Sequence, residues 1–179
     1  AYAKAAGVKD PRVGLVTNGT EDHKGDPLHQ EAHNLLKTLP GINFVGNVEG
    51  RDIMGGDIDV AVCDGFSGNI ALKTTEGTAL ALMQIIKQNV MASFWAKVGY
   101  ALFMKKAFKN IKRVMDYSKY GGAVLLGIDK VVVKSHGSSK AESICASVLQ
   151  AKDAAASGLI SSIKELLASS DLEAIGAEG

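Results

Sequence analysis

The sequence lacks a dominant charge of either sign, a long apolar run and a set of cysteines. Net charge is +1 at pH 7, so bulk charge predicts no nucleic-acid partner. No stretch of about 18 uncharged apolar residues occurs, so no transmembrane helix is expected. No signal-peptide pattern opens the chain. The two cysteines, Cys63 and Cys145, fit neither a disulfide framework nor a metal spacing. Their apolar neighbours predict buried free thiols in a reducing compartment. What is present is 46% hydrophobic and 22% charged residues over 179 positions. That suits one sizeable globular domain, or two small ones, with a real core.

The segment Ala1 to Ala6 reads as the last turns of a helix closed by Gly7. A chain opening in this way is expected to be a fragment of something longer. Arg12 to Thr17 reads as a short buried strand, followed by a polar loop from Asn18 to Gly25. Asp26-Pro27 supplies an N-cap and first helical position, and Pro40-Gly41 stops that helix. Ile42 to Val45 is a second strand, and Ile58 to Cys63 a third, buried one. A helix from about Ser67 to Val90 is nearly apolar in its second half and is expected to be mostly buried. Two strands, Ala123 to Gly127 and Lys130 to Lys134, precede an Ala-rich helix from Ala141 to Ala156 and a last helix from Leu159 to Ala168. Strands alternating with helices predict an α/β fold: a layered, mainly parallel sheet with flanking helices. The expected organisation is an α/β core from 1–90 and 121–168, a helical hairpin at 91–120 and a tail at 169–179.

Asp64-Gly65-Phe66-Ser67-Gly68-Asn69 lies between the third strand and the long helix. Two readings compete there. One is a tight turn with Ser67 or Asn69 as helix cap. The other is an anion site, with free N–H groups at the helix start and glycines admitting a ligand to the backbone. Ser135-His136-Gly137-Ser138-Ser139 is a second junction of the same kind, with hydroxyls and an imidazole. In a parallel sheet both lie at carboxyl ends of strands, the edge where such sheets bind ligands. Lys73 follows the first junction, either as a ligand or as a solvated helix residue. His136 reads as an acid–base group, a hydrogen-bond donor or a capping loop histidine. The loop from Asn18 to Gly25 either lines a cleft or is solvated. His29 and His33 share a helix face, but His29-Gln30-Glu31-Ala32-His33 departs from the H-E-x-x-H pattern, and no metal is expected. No G-x-G-x-x-G fingerprint follows a strand, so no dinucleotide is expected.

Met91 to Lys119 holds seven basic residues against one acid, Asp116. Seven of the ten aromatics fall between Phe94 and Tyr120. Phe94, Val98, Leu102, Phe108, Ile111 and Met115 roughly follow helical spacing, with Lys105, Lys106, Lys109, Lys112 and Arg113 between them. Trp95 and Phe103 add to the apolar side. The pattern suits an amphipathic helix, or two broken near Gly99, on an anionic membrane surface. The alternatives are a stripe packed in a dimer interface or in the core.

Five segments then occur in a recognisable order. They are Arg12-Val13-Gly14-Leu15 before Asn18-Gly19-Thr20-Glu21, Phe44 to Asp52, Asp64 to Lys73, Gly121 to Gly127 and Val133 to Ser139. Together they resemble the bacterial acyl-ACP:phosphate acyltransferases of phospholipid synthesis, the PlsX family, over about residues 1–168. The likeness is to the second half of that family only; its N-terminal motifs are absent from these residues. The resemblance implies a fold like that of isocitrate and isopropylmalate dehydrogenases, with a protruding helical hairpin. It implies transfer of a fatty acyl group from acyl-ACP to inorganic phosphate, without a cofactor, in a cytoplasmic homodimer peripherally attached to the inner face of the membrane.

On that reading His136 and Lys73 are the catalytic candidates. Asn18, Asp64, Gly65, Ser67, Gly68, Asn69, Ser135, Gly137, Ser138 and Ser139 are the phosphate or substrate candidates. The basic stripe would meet membrane, dimer partner or acidic ACP. The alternatives are a phosphotransacetylase-like enzyme using acyl-CoA and a non-enzymatic membrane-binding scaffold.

Overall fold

Strand β1, Arg12–Val16, lies between two parallel neighbours, β2 (Asn43–Val48) and β3 (Val60–Val62). In this computed structural model residues 2–114, 121–137 and 139–169 are described. Strand β1 earns its central place by sequence: Leu15 is 2% exposed, and Gly14 admits β2 closely. A Cβ on Gly14 would sit 2.8 Å from a Val48 methyl. The β1–β2 register shifts at that same Val13/Gly14 step.

Helix α1 is the short segment Tyr2–Ala5, and Gly7 follows with φ +93°, the left-handed ending that the sequence predicts. Helix α2, Pro27–Thr38, starts as expected: the Asp26 side chain accepts from the His29 amide, and proline stands in the first turn. A 3₁₀ turn at Asp52–Met54 leads toward β3.

The entry to β3 is tied to the start of β1 by an ion pair. Arg12 donates from Nε and from its backbone amide to Asp59 Oδ2, both at 2.9 Å, and from Nη2 to the Gly56 carbonyl at 2.8 Å. Hydrogen bonds from the Arg12 side chain, then from its amide, lower the Asp59 carboxyl to about 2. A depressed carboxyl stabilises the fold fully above its ordinary value near 3.8, and the contribution is lost as pH falls through about 2. Arg12→Gln is therefore expected to lower the melting temperature at pH 7. The difference from the native protein should shrink between pH 4 and pH 2 in thermal melts.

The second sheet differs from expectation. Strands β4 (Ala123–Leu125) and β5 (Val132–Lys134) form an antiparallel pair of their own. The reason is connection length. Residues 126–131 are all that separate the two strands, and a parallel crossover needs about a dozen residues or more. The architecture is α/β with a three-stranded parallel sheet, an antiparallel hairpin and flanking helices. Helix α6 (Ala141–Ala156) and helix α7 (Leu159–Ser169) follow, joined at Gly158 with φ +68°.

The long helix α3, Gly65–Ala92, corrects a second expectation. None of its residues is buried, and Leu80 is 70% exposed. Apolar sequence predicts a buried helix only where another element is present to cover it. Cys63 and Cys145 are likewise exposed, against the expectation of buried thiols. The next helix breaks at Ser93, which has extended backbone, and not near Gly99, which is helical at φ −58° and ψ −43°. Helix α4, Phe94–Gly99, passes through a π-helical stretch at Tyr100–Met104 into helix α5, Lys105–Val114. Met115, Asp116, Lys119, Tyr120 and the tail 170–179 lie outside the described residues. Among the described residues Leu15, Val48, Ala154 and Leu159 form the buried apolar core.

Candidate active site

The carboxyl edge of the parallel sheet is organised by Asp64. It is the N-cap of α3, where the sequence pointed to Ser67 or Asn69. Its Oδ1 accepts from the amides of Phe66 at 2.8 Å and Ser67 at 2.9 Å. A cap at Asp64 places Gly65, Ser67 and Gly68 in the first turn of the helix and Asn69 just beyond it, rather than in a loop. Hydrogen bonding from Ser67, side chain first and amide second, holds the Asp64 carboxyl below its ordinary value. Two of the amides that an external anion would need are therefore occupied by a carboxylate. Gly68 has a packing reason of its own: a Cβ there would stand 2.6 Å from Cys63 Sγ.

The second junction meets helix α3 through two side chains. Lys73 Nζ lies 3.4 Å from His136 Nε2, across 63 positions of sequence. An ammonium can only donate, so in this contact the imidazole nitrogen is the acceptor. Glu76 Oε2 accepts from the same Lys73 Nζ at 2.8 Å, one helical turn on. The site is thus a lysine shared between a carboxylate and an imidazole, on a half-exposed face of α3. Glu76 was not among the sequence candidates, although its i, i+3 spacing to Lys73 was legible.

Ser135 and Ser139 at the second junction make contacts within the fold. Ser135 Oγ donates to Ser147 Oγ at 2.7 Å, and Ser147 donates in turn to the Ser143 carbonyl at 2.9 Å. The Ser139 amide donates to the His136 carbonyl at 3.0 Å and closes the turn over Gly137. Ser138 lies outside the described residues. In the first loop, Asn18 Oδ1 accepts from the Gly25 amide at 3.0 Å and braces the loop from within.

Two histidines carry further order at this edge. His29 donates from Nδ1 to Asp26 Oδ1 at 2.7 Å, and its Nε2 stands 3.8 Å from Asp64 Oδ2. It therefore bridges the N-termini of α2 and α3. The Asp26 carboxyl is held low by the His29 side chain first and its amide second. His29 as a bridge was missed; the signal was an Asp-x-x-His spacing at a helix start. His33 is 2% exposed, with Nδ1 2.8 Å from Asn47 Oδ1. Asn47 Nδ2 donates to the Glu21 carbonyl at 2.7 Å, so His33 and Asn47 fasten the loop to the sheet. The two histidines have different partners, and among the described residues no group of three His, Cys, Asp or Glu could hold a metal ion.

The basic stripe is strongly exposed. Phe94 is 70%, Trp95 78%, Leu102 69% and Phe103 82% exposed. Val98 is half-buried, and Lys105, Lys106 and Lys109 are exposed beside it. The Lys112 and Arg113 side chains lie outside the described residues. No helix among the described residues is long and apolar enough to cross a membrane.

Comparison with known proteins supplies what the geometry leaves open. A phosphate acyltransferase of Sulfurovum sp. (strain NBC37-1) is 49% identical over 164 residues, covering 92% of this chain and 49% of that protein. A phosphate acyltransferase of Bacillus cereus (strain AH820) is 46% identical over 170 residues, covering 95% of this chain and 51% of its own length. A third, of Bacillus cytotoxicus (strain DSM 22905 / CIP 110041 / 391-98 / NVH 391-98), is 47% identical over 164 residues, covering 92% and 49%. The chain spans about half the length of the curated relatives it matches. The family model described as fatty acid synthesis protein matches residues 1–162, so the junctions at Asp64 and His136 both fall inside the match, and the chain belongs to that family.

Proposed function

We propose that this chain carries one wall of the active site of a phosphate acyltransferase, which moves a fatty acyl group from acyl-ACP to inorganic phosphate. The observation that carries this reading is the meeting of Lys73, on α3, and His136, just after β5, at 3.4 Å. The family and the names of its relatives supply the acyl and phosphate chemistry. A phosphate oxygen adds to the thioester carbonyl carbon, the C–S bond then breaks, and acyl phosphate and the ACP thiolate leave. Lys73 holds charge on the phosphate or on the developing oxyanion. His136 Nε2, as an acceptor, takes the proton of the attacking phosphate and returns it to the thiolate. Glu76 keeps the lysine on station. Asp64 and the first turn of α3 shape the wall and bind no phosphate themselves.

The architecture on this reading is that of the isocitrate and isopropylmalate dehydrogenases. The segment after Ser93 is its protruding hairpin, laid on the inner face of the cell membrane. Exposed aromatics beside exposed lysines suit an anionic surface, where each cation near the lipid contributes about 1 kcal/mol. The uncovered apolar residues of α3 suit a homodimer contact.

The reading is tested by acyl phosphate formation with the full-length protein, comparing long-chain acyl-ACP with acyl-CoA. Preference for acyl-ACP is expected; preference for short-chain CoA thioesters would transfer the assignment to a phosphotransacetylase-like enzyme. For the stripe, Leu102→Asp is expected to lower sedimentation with vesicles containing anionic lipid by several-fold. Unchanged sedimentation would remove the membrane role.

A further inference from the structure

Among the described residues one buried side-chain nitrogen makes no hydrogen bond: Nε2 of His33. The reason lies on the other side of the ring. Asn47 donates from Nδ2 to the Glu21 carbonyl at 2.7 Å. A carbonyl only accepts, so this bond fixes the amide and turns Asn47 Oδ1 toward His33 Nδ1, 2.8 Å away. That oxygen also only accepts, so Nδ1 carries a proton. A neutral ring has one N–H, and Asn47 takes it. Nε2 is then a bare lone pair, and it faces Asp22 Oδ1 at 3.6 Å, another acceptor.

The surroundings of His33 thus hold two acceptors for a ring with one donor when neutral and two when charged. They are complete only for the imidazolium. Strand β2 presents the uncharged Asn47 and the Phe44 ring, whose centroid is 5.1 Å from that of His33. The loop from Asn18 to Gly25 presents Asp22. Helix α2 adds Lys37, whose Nζ donates to the other oxygen of Asp22, Oδ2, at 2.8 Å. That hydrogen bond first, and the Lys37 charge second, hold the Asp22 carboxyl below its ordinary value, with smaller contributions from His33 and His23. Asp22 is therefore ionised across the range in which histidine side chains change charge, about pH 5–8.

The two halves of the loop are held differently. Gln30 Nε2 donates to the carbonyls of His23 at 2.9 Å and Gly25 at 3.1 Å, and Asn18 accepts from the Gly25 amide. None of these bonds titrates. Glu21 and Asp22 are held by Asn47 and by the Asp22–Lys37 pair, whose side chains are 68% and 61% exposed. So exposed an ion pair contributes little. A bond from the buried imidazolium to Asp22 would be charge-assisted and covered on the ring side. The loop also touches the candidate site. A Cβ on Gly25 would run into the His29 side chain, and His29 Nε2 stands 3.8 Å from Asp64, the cap of α3.

We propose that His33 and Asp22 form a proton-operated latch on the loop from Asn18 to Gly25. Protonation of the buried imidazole adds a second hydrogen bond, from Nε2 to Asp22 Oδ1, and draws the loop onto α2 and β2; deprotonation releases it. The latch is closed at the acid end of the histidine range and open at the alkaline end. It goes beyond the acyltransferase reading and does not depend on it.

The test is hydrogen exchange of the 18–25 backbone in the full-length protein, read by mass spectrometry at pH 5 and pH 8 and corrected for the intrinsic exchange rate. Protection is expected to be about tenfold higher at pH 5, the scale of one hydrogen bond to a charged group. His33→Gln keeps a donor for Asn47 and carries no charge, so the difference between the two pH values should fall below about twofold. If circular dichroism shows that this variant does not fold, Asp22→Ala, at an exposed position, carries the test with the same expected loss. Lys37→Met removes only the exposed pair, and the difference should persist. Equal protection of the native loop at both pH values overturns the latch. So does a difference that survives in His33→Gln or Asp22→Ala, which would assign the titration to His23 or His29. None of these measurements uses acyl transfer, so the latch and the acyltransferase reading fail separately.

Discussion

Replacing Lys73 with methionine in the full-length protein is expected to lower kcat for acyl phosphate formation about 10²–10³-fold, the cost of removing one preorganised donor to a developing oxyanion. Lys73 is half-exposed on the surface of α3, so methionine can occupy its place without opening a cavity. The loss should therefore appear in turnover and not in the thermal melt. Glu76→Gln should cost less, because an amide oxygen still accepts from the ammonium at the same position. His136→Ala separates the two roles further: if the imidazole moves a proton, the pH dependence of kcat should lose a limb, which Lys73→Met leaves in place. Full turnover by Lys73→Met would place the chemistry on other residues and leave the Lys73–His136 contact structural.

Leu159→Ala should carry the largest stability cost of any single truncation in the described chain, about 2–5 kcal/mol. Leu159 is 1% exposed and opens α7 directly after Gly158. Only Leu15, Val48 and Ala154 are also buried apolar residues among the described residues, and of these Ala154 has little side chain to lose. Truncating Leu159 therefore removes a large part of the little apolar side chain that is buried among the described residues. Urea denaturation should show a lower midpoint with an unchanged slope. A shift smaller than about 1 kcal/mol would mean that the site collapses around the alanine, contrary to close packing of the native interior.

Much of the fold was legible because local rules and tertiary demands agree. Asp26-Pro27 starts α2, and the Ala141–Ala156 helix and the Gly158 joint fall where the sequence places them. These features depend on one or two residues and their own backbone. The order of strands and helices, and the family segments threaded through them, were likewise readable. The candidate residues were legible as a set, but the contacts they make inside the fold were not. Asp64 was read as a wall of an anion site, and it is the cap that fills the helix N-terminus. Ser135 was read as a phosphate ligand, and its hydroxyl is engaged with Ser147. Glu76 and His29 were passed over because their value lies in what they touch, not in a motif.

What the sequence determined by itself is therefore the α/β class, the family and most element boundaries, all written in short-range pattern and ordered motifs. Only the tertiary structure decided that β4 and β5 pair antiparallel and apart from the parallel sheet. It alone exposed α3 and both cysteines, and it alone brought Lys73 to His136. Burial and proximity depend on what lies across the fold, and an apolar residue carries no record of whether anything covers it.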